Sequence, residues 1–271
     1  MERELAKLVE SVRNAGVKVR ELVRVGFEVQ TKPDRSLVTT VDYEVNRVLH
    51  EMQRREFPQD AWLSEESPDD PARLTNRRVW IVDPIDGTKA LVNRAPEFCI
   101  SAALIEQRTP VVAAILNPST DELFTAVRGG GLYLNGTRVI PSPTHNFNPV
   151  IMVSAWEFRS DRWSTLAETA RCRPMYSIAN SLTLVAAGRV QAAFTIEPEN
   201  EWDLAAGVLL IEESGGTISD AAGKPLTFNQ PTPRFRGVIA VAATAGKELR
   251  TNLQVQAERA RSKSKRRKSA P

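Results

Sequence analysis

The most constraining feature of this sequence is a strand-like run that leads directly into two carboxylates. The residues from Arg78 to Val82 have the composition of a strand, and Asp83-Pro84 follows at once, with Asp86 three residues beyond Asp83. Proline makes the turn rigid because its ring fixes one backbone dihedral angle. Both carboxylates should therefore lie together at the carboxyl end of a strand, where they can share a cation.

The residues after this strand predict a phosphate site next to the cation site. Gly87-Thr88 opens the segment Lys89–Asn93, which can start as a helix. Backbone N–H groups at a helix start point outward and bind phosphate. Carboxylates for a metal beside amides for phosphate are what phosphoryl transfer needs, since that catalysis consists mostly of positioning and charge neutralisation.

Three other segments carry acids that fit the same chemistry. Asp42 ends the first, residues 32–42; Glu65 lies in the second, residues 63–67; Asp203 lies in the third, residues 201–207. Each acid has an ordinary explanation when taken alone: a first-turn helix acid, a solvated loop or a helix cap. Their joint occurrence in this order favours one active site. Because the ligands are oxygens and both histidines lie elsewhere, the pattern favours Mg²⁺ over Zn²⁺.

These segments together resemble a known family. The patterns DPxDGT and WDxAAG, preceded by KxDxSxVTxxD and an SEES-type loop, are similar to those of the inositol monophosphatase superfamily of lithium-sensitive phosphatases. The resemblance covers about residues 5 to 258, and the two later motifs at this separation are highly specific. It implies a Mg²⁺-dependent phosphomonoesterase.

The resemblance implies a set of metal ligands. Glu65, Asp83 and the carbonyl of Ile85 resemble the ligands of a first, activating Mg²⁺, and Glu65 would also contact the attacking water. Asp83, Asp86 and Asp203 resemble the ligands of a second Mg²⁺ that stabilises the leaving oxygen. Glu65 would also reach a weaker third ion.

The resemblance also implies catalytic and substrate-binding roles. Thr88 would orient the attacking water and would be held by Asp42, while the amides of Gly87 and Thr88 would hold the phosphate, with Asp203 also on the substrate. The implied reaction is in-line attack by a metal-activated water, without a phosphoenzyme. Glu66 should point away from the site if its loop is extended, because side chains alternate along an extended chain.

The substrate is less constrained. Several residues are more typical of the 3′(2′),5′-bisphosphate nucleotidases than of inositol monophosphatases. They are Lys89, Arg94, the pair Glu97-Phe98, and Ser64, where inositol monophosphatases usually have glycine. The alternative is that Lys89 and Glu97 are only surface charges. The pattern therefore favours 3′-phosphoadenosine 5′-phosphate as the substrate, with inositol monophosphate as the alternative.

One family position, which contacts an inositol hydroxyl, is not fixed by the alignment. It falls among Glu197, Glu199 and Glu201.

The order of predicted elements indicates a layered fold with two halves. Helices are expected over residues 2–25 and from about Val41 to Phe57. Strands separated by turn signals follow as an antiparallel meander: Cys99–Ile105, Val111–Leu116, Glu122–Val127 and Gly131–Leu134. Beyond the Pro-rich stretch Pro141–Pro149 the chain alternates: strand 150–154, helices about 162–170 and 178–187, strand 191–196, helix about 203–214, strand 237–243, helix about 246–258.

This order predicts an αβαβα sandwich, α+β with an antiparallel sheet in the N-terminal half and α/β with a mixed sheet in the C-terminal half. The expected divisions are 1–145 with most metal ligands, 146–258 with Asp203, and a disordered tail at 259–271.

The basic charge of the chain is confined to that tail. Seven Lys or Arg and no acid lie between Arg259 and Pro271, so excluding them changes the formal charge from +3 to −4. The tail should be disordered because it has almost nothing apolar to bury. It is most simply a solvated end; the alternative is that it binds nucleic acid, in a catalytically weak relative of the phosphatases.

The remaining features indicate a cytoplasmic protein. No apolar run is long enough to span a bilayer, and the N-terminus lacks the apolar segment of a secretory signal. Cys99 and Cys172 lie far apart and should be buried thiols rather than a disulfide. A homodimer is expected from the family resemblance only.

Overall fold

The computed structural model describes residues 1–142, 149–158 and 170–268. Within these ranges it contains seven α-helices: α1 (Glu2–Val25), α2 (Thr40–Glu56), α3 (Thr88–Val92), α4 (Ala155–Phe158), α5 (Ile178–Ala186), α6 (Glu201–Glu213) and α7 (Lys247–Lys268). A 3-10 turn covers Pro71–Thr75.

The strands of the N-terminal part form a two-stranded hairpin and a seven-stranded sheet. The hairpin pairs β1 (Val29–Thr31) with β2 (Leu37–Thr39). The sheet contains, in spatial order, β3 (Ala61–Ser64), β4 (Arg78–Asp86), β5 (Cys99–Glu106), β6 (Thr109–Asn117), β7 (Glu122–Val127), β8 (Gly131–Leu134) and β9 (Thr137–Arg138). All neighbours in it are antiparallel except β3 and β4, which are parallel.

The C-terminal part forms a mixed sheet of five strands. These are β10 (Val150–Ser154), β11 (Arg171–Met175), β12 (Ala192–Asn200), β13 (Thr217–Asp220) and β14 (Arg234–Val241), in the order β11-β10-β12-β14-β13. Strand β10 is parallel to both of its neighbours, and β14 is antiparallel to both of its own.

The two sheets enclose a central helical layer. Buried apolar residues of α5 and α6 form one core cluster with the inner faces of both sheets. A second cluster packs α1 and α2 against the outer face of the seven-stranded sheet, and a third packs α7 against the outer face of the five-stranded sheet. The layers therefore run αβαβα, which confirms the predicted fold class.

The helices of the central layer approach each other closely at a glycine of the WDxAAG motif. A Cβ on Gly207 of α6 would lie 2.9 Å from the Cβ of Leu182 on α5, closer than real Cβ contacts allow. Leu182 is fully buried. The glycine is therefore required by helix packing, and this packing sets the position of the start of α6.

The periodic elements were predicted well, and the short strands were missed. The helix α1 and strands β5 to β8 match the expectations closely. The helix α4 and the strands β1, β2, β3, β9, β11 and β13 were not predicted, since runs of two to five residues give little periodicity; β8 and β10, of similar length, were predicted. The helix expected at about 162–170 and the soft boundary near residue 145 fall almost wholly outside the described residues.

The expectation for the tail needs a correction. The helix α7 continues to Lys268 instead of ending near residue 258. The added segment is rich in Arg and Lys, which have high intrinsic helix propensity, and contains no Gly or Pro. The lack of apolar residues correctly indicates that the segment is not buried in a core. It does not prevent a helix, because local helix propensity is sufficient to form one.

Two smaller expectations have an outcome. Cys99 is a buried thiol, Cys172 is a partly buried one, and neither forms a disulfide. No helix in the described ranges has the length and hydropathy that a bilayer-spanning segment requires.

Candidate metal centre and active site

Asp83 and Asp86 both lie at the C-terminal end of strand β4. Its pairing with β5 changes register between these two residues, so the strand bulges where Pro84 turns the chain. The carboxylate of Asp83 accepts a hydrogen bond from the N–H of Ile85 at 3.0 Å, which fixes the turn. Asp83 is only 1% exposed.

The turn ends in a glycine that no other residue can replace without strain. Gly87 has φ of +95°, and a Cβ there would lie 2.9 Å from the carbonyl oxygen of Glu97. The next residue, Thr88, is the first of helix α3, so the DGT motif joins the strand end to a helix start. The sequence placed both features correctly.

Helix α6 brings the third carboxylate to the same point. Asp203 lies in the first turn of α6 and accepts a hydrogen bond at 2.6 Å from the N–H of Asn200, which makes it part of a capping box. One carboxylate oxygen each of Asp83, Asp86 and Asp203 lies within 4.8 Å of the other two. The structure therefore brings these three acids together, and their role as metal ligands stays a prediction.

This cluster is electrostatically unfavourable without a cation. Burial raises the pKa of Asp83 well above its usual range, and the negative charges of Glu65, Asp86 and Asp203 raise it further. Burial raises the pKa of Asp86 to about 6 and that of Asp203 well above its usual range. Three buried carboxylates at this spacing offer the hard oxygens that a divalent cation binds, so the residues fit a metal.

Asp42 and Thr88 are joined as the sequence predicted. The hydroxyl of Thr88 lies 3.0 Å from one carboxylate oxygen of Asp42 and 3.1 Å from the carbonyl oxygen of Ile85. The other carboxylate oxygen of Asp42 accepts hydrogen bonds from the N–H and the hydroxyl of Thr39 at the start of α2. Asp42 is thus both a helix-capping acid and the partner of Thr88, and the two readings of this residue are compatible.

Glu65 lies beside the three-carboxylate cluster rather than within it. Its carboxylate is 2.9 Å from the ammonium of Lys32. Its charge still raises the pKa of Asp83, second only to burial, which places it in the electrostatic field of the centre. The first-ligand role expected for Glu65 therefore stays a prediction.

The expectation that Glu66 points elsewhere was wrong. The carboxylate of Glu66 lies 2.5 Å from the same ammonium of Lys32 as that of Glu65, and its side chain is only 5% exposed. Burial raises the pKa of Glu66 to about 6. The reason is that the chain turns after Ser64 instead of staying extended, so the alternation of side chains no longer applies.

Sequence reasoning missed the residues that hold Asp86. The hydroxyl of Ser177 and the N–H of Ala179 donate to the same oxygen of Asp86 at 2.7 and 2.6 Å. Both belong to the start of α5, where Ser177 is the N-cap, so the positive end of that helix faces the carboxylate. The one available signal was Ser177 as a capping residue.

The three glutamates that could occupy the inositol-contacting position of the family have different surroundings in the structure. Glu201 is fully buried and accepts hydrogen bonds from the N–H groups of Asn229 and Gln230 at 2.7 and 2.9 Å, so it anchors a loop. Burial and the charges of Asp203 and Asp86 hold the pKa of Glu199 well above its usual range, and Glu197 adds a weaker repulsion. The charges of Asp203 and Asp86 therefore act on Glu199.

A comparison with known protein families identifies the family of this chain. The sequence profile of the Inositol monophosphatase family matches residues 1–264. The chain belongs to this family. The match covers all four motif segments, and the resemblance inferred from them is confirmed.

Individual relatives and solved structures agree. The Nus factor SuhB of Escherichia coli K12 is 35% identical over 235 residues, covering 82% of this chain and 87% of the relative. The inositol-1-monophosphatase of Bacillus subtilis 168 is 32% identical over 226 residues, covering 80% and 85%. The Thermotoga maritima IMPase structure has a TM-score of 0.83 at 26% identity and covers 96% and 98% of the two chains. The chain is thus a phosphatase of the inositol monophosphatase family.

Proposed function

We propose that this protein is a Mg²⁺-dependent phosphomonoesterase whose substrate is an inositol monophosphate. The observation that carries the proposal is the cluster of Asp83, Asp86 and Asp203, which lies at the strand end that leads into Thr88. Mg²⁺ bound there would neutralise phosphate charge and lower the pKa of a water molecule.

In this proposal, residues of the chain orient the attacking water and the phosphate. The hydroxyl of Thr88, held by Asp42, directs the attacking water, and the amides of Gly87 and Thr88 hold phosphate oxygens. Glu65 and the carbonyl of Ile85 would complete the ligand set. Asp86 needs no movement for this, because α5 already fixes one of its oxygens and leaves the other available.

Glu199 favours a substrate whose leaving group is a polyol over a substrate that carries a second phosphate there. It lies in the field of Asp203, which is the acid expected at the leaving oxygen. A carboxyl group accepts hydrogen bonds from hydroxyl groups, and a carboxylate repels another anion. An inositol ring therefore fits this side better than the nucleotide of a bisphosphate.

Two of the residues that favoured a bisphosphate nucleotide have other roles. Ser64 is buried, and its hydroxyl donates to Asn46 at 2.7 Å. Arg94 lines a separate cavity against α1. Lys89, which is exposed directly after Thr88, and Glu97 still favour 3′-phosphoadenosine 5′-phosphate, and this nucleotide is the second candidate substrate.

A phosphate-release panel tests the proposal. Purified protein would be assayed with Mg²⁺ on inositol 1-phosphate, 3′-phosphoadenosine 5′-phosphate, fructose 1,6-bisphosphate and NADP. The highest kcat/KM is expected for inositol 1-phosphate, and Glu199→Gln should lower it selectively. A higher kcat/KM for 3′-phosphoadenosine 5′-phosphate, reduced by Lys89→Gln, would replace the first substrate by the second.

A nucleic-acid contact is a candidate of another class. A relative at 35% identity is named a Nus factor, and the last turns of α7 contain the basic run from Arg259 to Lys268. Deleting residues 259–271 should abolish any salt-dependent RNA binding and leave phosphate release unchanged. We also propose a homodimer, which sedimentation at micromolar concentration would test.

A further inference from the structure

A cavity of about 400 Å³ lies between helix α1 and the segment that follows α3, outside the metal centre. Its floor is apolar and includes Val19, Leu91 and Phe98, all of them buried. Cavities of this volume with an apolar lining are typical of sites for small molecules.

The rim of this cavity is strongly basic. Arg20, Arg24 and Arg94 line it, and none of the described residues that line it is acidic. Arg20 lies 3.4 Å from Asp121, whereas Arg24 and Arg94 have no ion pair in the part of the chain that the structure describes. Guanidinium groups bind carboxylate, sulfonate and phosphate through paired hydrogen bonds, so the rim suits an anionic group.

The backbone holds Arg94 at this rim in a conformation that usually needs glycine. Arg94 has φ of 56° just beyond the end of α3, and its N–H donates to the carbonyl oxygen of Leu91 at 3.0 Å. Helices often end in this left-handed conformation, but mostly with Gly or Asn. A side chain kept at such a position is consistent with a role for that side chain.

We propose that this cavity binds a small amphipathic anion, whose apolar body lies on the floor and whose acidic group is held by Arg24 and Arg94. The ligand is a soluble small molecule, because a concave site of about 400 Å³ has the volume of a small-molecule site. This site is separate from the phosphatase site and does not depend on its substrate.

Two connections link the cavity to the active site. Leu91, on the floor, belongs to the short helix α3 that begins with Thr88. Ser119, which also lines the cavity, donates its N–H to Asn117, and Asn117 in turn donates to Asn180 of α5, the helix whose start holds Asp86. Occupation of the cavity should therefore change turnover, since α3 borders both sites and α5 is linked to the cavity through Asn117.

The binding test uses anilinonaphthalene sulfonate, a fluorescent anion with an apolar body, titrated into the full chain with saturating Mg²⁺ and inorganic phosphate. Arg24→Gln and Arg94→Gln should each weaken its binding about tenfold, the loss of one charge-assisted hydrogen bond. The matched control is Arg54→Gln, an exposed arginine of α2 outside the cavity. Ala95→Trp should also weaken binding, because the larger side chain fills the cavity.

A competition experiment tests the ligand class. Octanoate should displace the probe and octylammonium should not. Equal displacement by both, equal weakening by Arg54→Gln, or no saturable binding would overturn the proposal. Binding to phosphatidylglycerol vesicles that the cavity arginines control would overturn the choice of a soluble ligand.

The coupling is measured separately. Saturating octanoate should change kcat for phosphate release several-fold in the wild type and have no such effect in the Arg24→Gln/Arg94→Gln double variant. Binding with unchanged kcat would overturn the regulatory role.

Discussion

The hydroxyl of Thr88 lies 3.0 Å from a carboxylate oxygen of Asp42, so the first residue of α3 is fixed by the first turn of α2. This pair connects the outer helical layer to the end of strand β4. Asp42→Asn should therefore lower kcat about 10–100-fold with little change in KM, because it disturbs the orientation of Thr88 rather than a ligand. Steady-state phosphate release checks this. Asp121→Asn, which changes an exposed acid in the turn between β6 and β7, is the matched control and should be near wild type.

Asp83→Asn is expected to separate activity from stability. Activity should nearly vanish even at high Mg²⁺, because this carboxylate is central to the acidic cluster. The metal-free protein should become more stable, since the substitution removes a buried negative charge that Glu65, Asp86 and Asp203 repel. Phosphate release and thermal unfolding in EDTA measure the two effects. A metal-free variant less stable than the wild type would contradict this account of the cluster.

Glu65→Gln and Glu66→Gln should differ, although both residues contact Lys32. Glu65→Gln should chiefly lower kcat, because Glu65 lies in the field of Asp83. Glu66→Gln should have a smaller effect, since it only releases Lys32 toward Glu65. The kcat values, in the order Asp83→Asn lowest, then Glu65→Gln, Asp42→Asn and Glu66→Gln, are the measurement. Equal losses for the two glutamine variants would require the roles of the two glutamates to be reassigned.

Lithium should inhibit phosphate release, and excess Mg²⁺ should slow it. A cation held by Asp83, Asp86 and Asp203 would keep the phosphate product in the site until it loosens. Initial rates over a range of each ion provide the measurement, with potassium as the control. Rates that do not respond to either ion would indicate a different metal arrangement.

His50 should titrate below its ordinary pKa of 6.5, because burial and then the positive charge of Arg54 disfavour its protonated form. Its ring stacks on Trp62, with centroids 4.7 Å apart. Protonation should quench the fluorescence of Trp62 with a midpoint below pH 6.5. The unfolded chain takes up the proton first, so stability should fall as the pH drops below about 6.5.

The matched variant for this titration is His50→Gln, which should lack both the fluorescence step and its part of the pH dependence of stability. A step that persists in the variant would assign it to another group.

The sequence by itself determined the chemistry of the site and the layer order of the fold. Asp83, Asp86 and Thr88 lie within six residues of one another, so a local turn was enough to predict their arrangement. The long apolar periodicities of α1 and of β5 to β8 predicted the outer helix and the antiparallel sheet, because such periods reflect burial on one face.

Only the tertiary structure decided which distant groups meet at the site. Ser177 and Ala179 hold Asp86 because the packing of α5 aims its start at the strand end, and nothing near residue 177 in the sequence refers to residue 86. The structure likewise distinguishes Glu199 among the three glutamates, because the charge of Asp203 raises its pKa. Contacts between residues far apart in the chain depend on how whole layers pack, and local patterns carry no information about that packing.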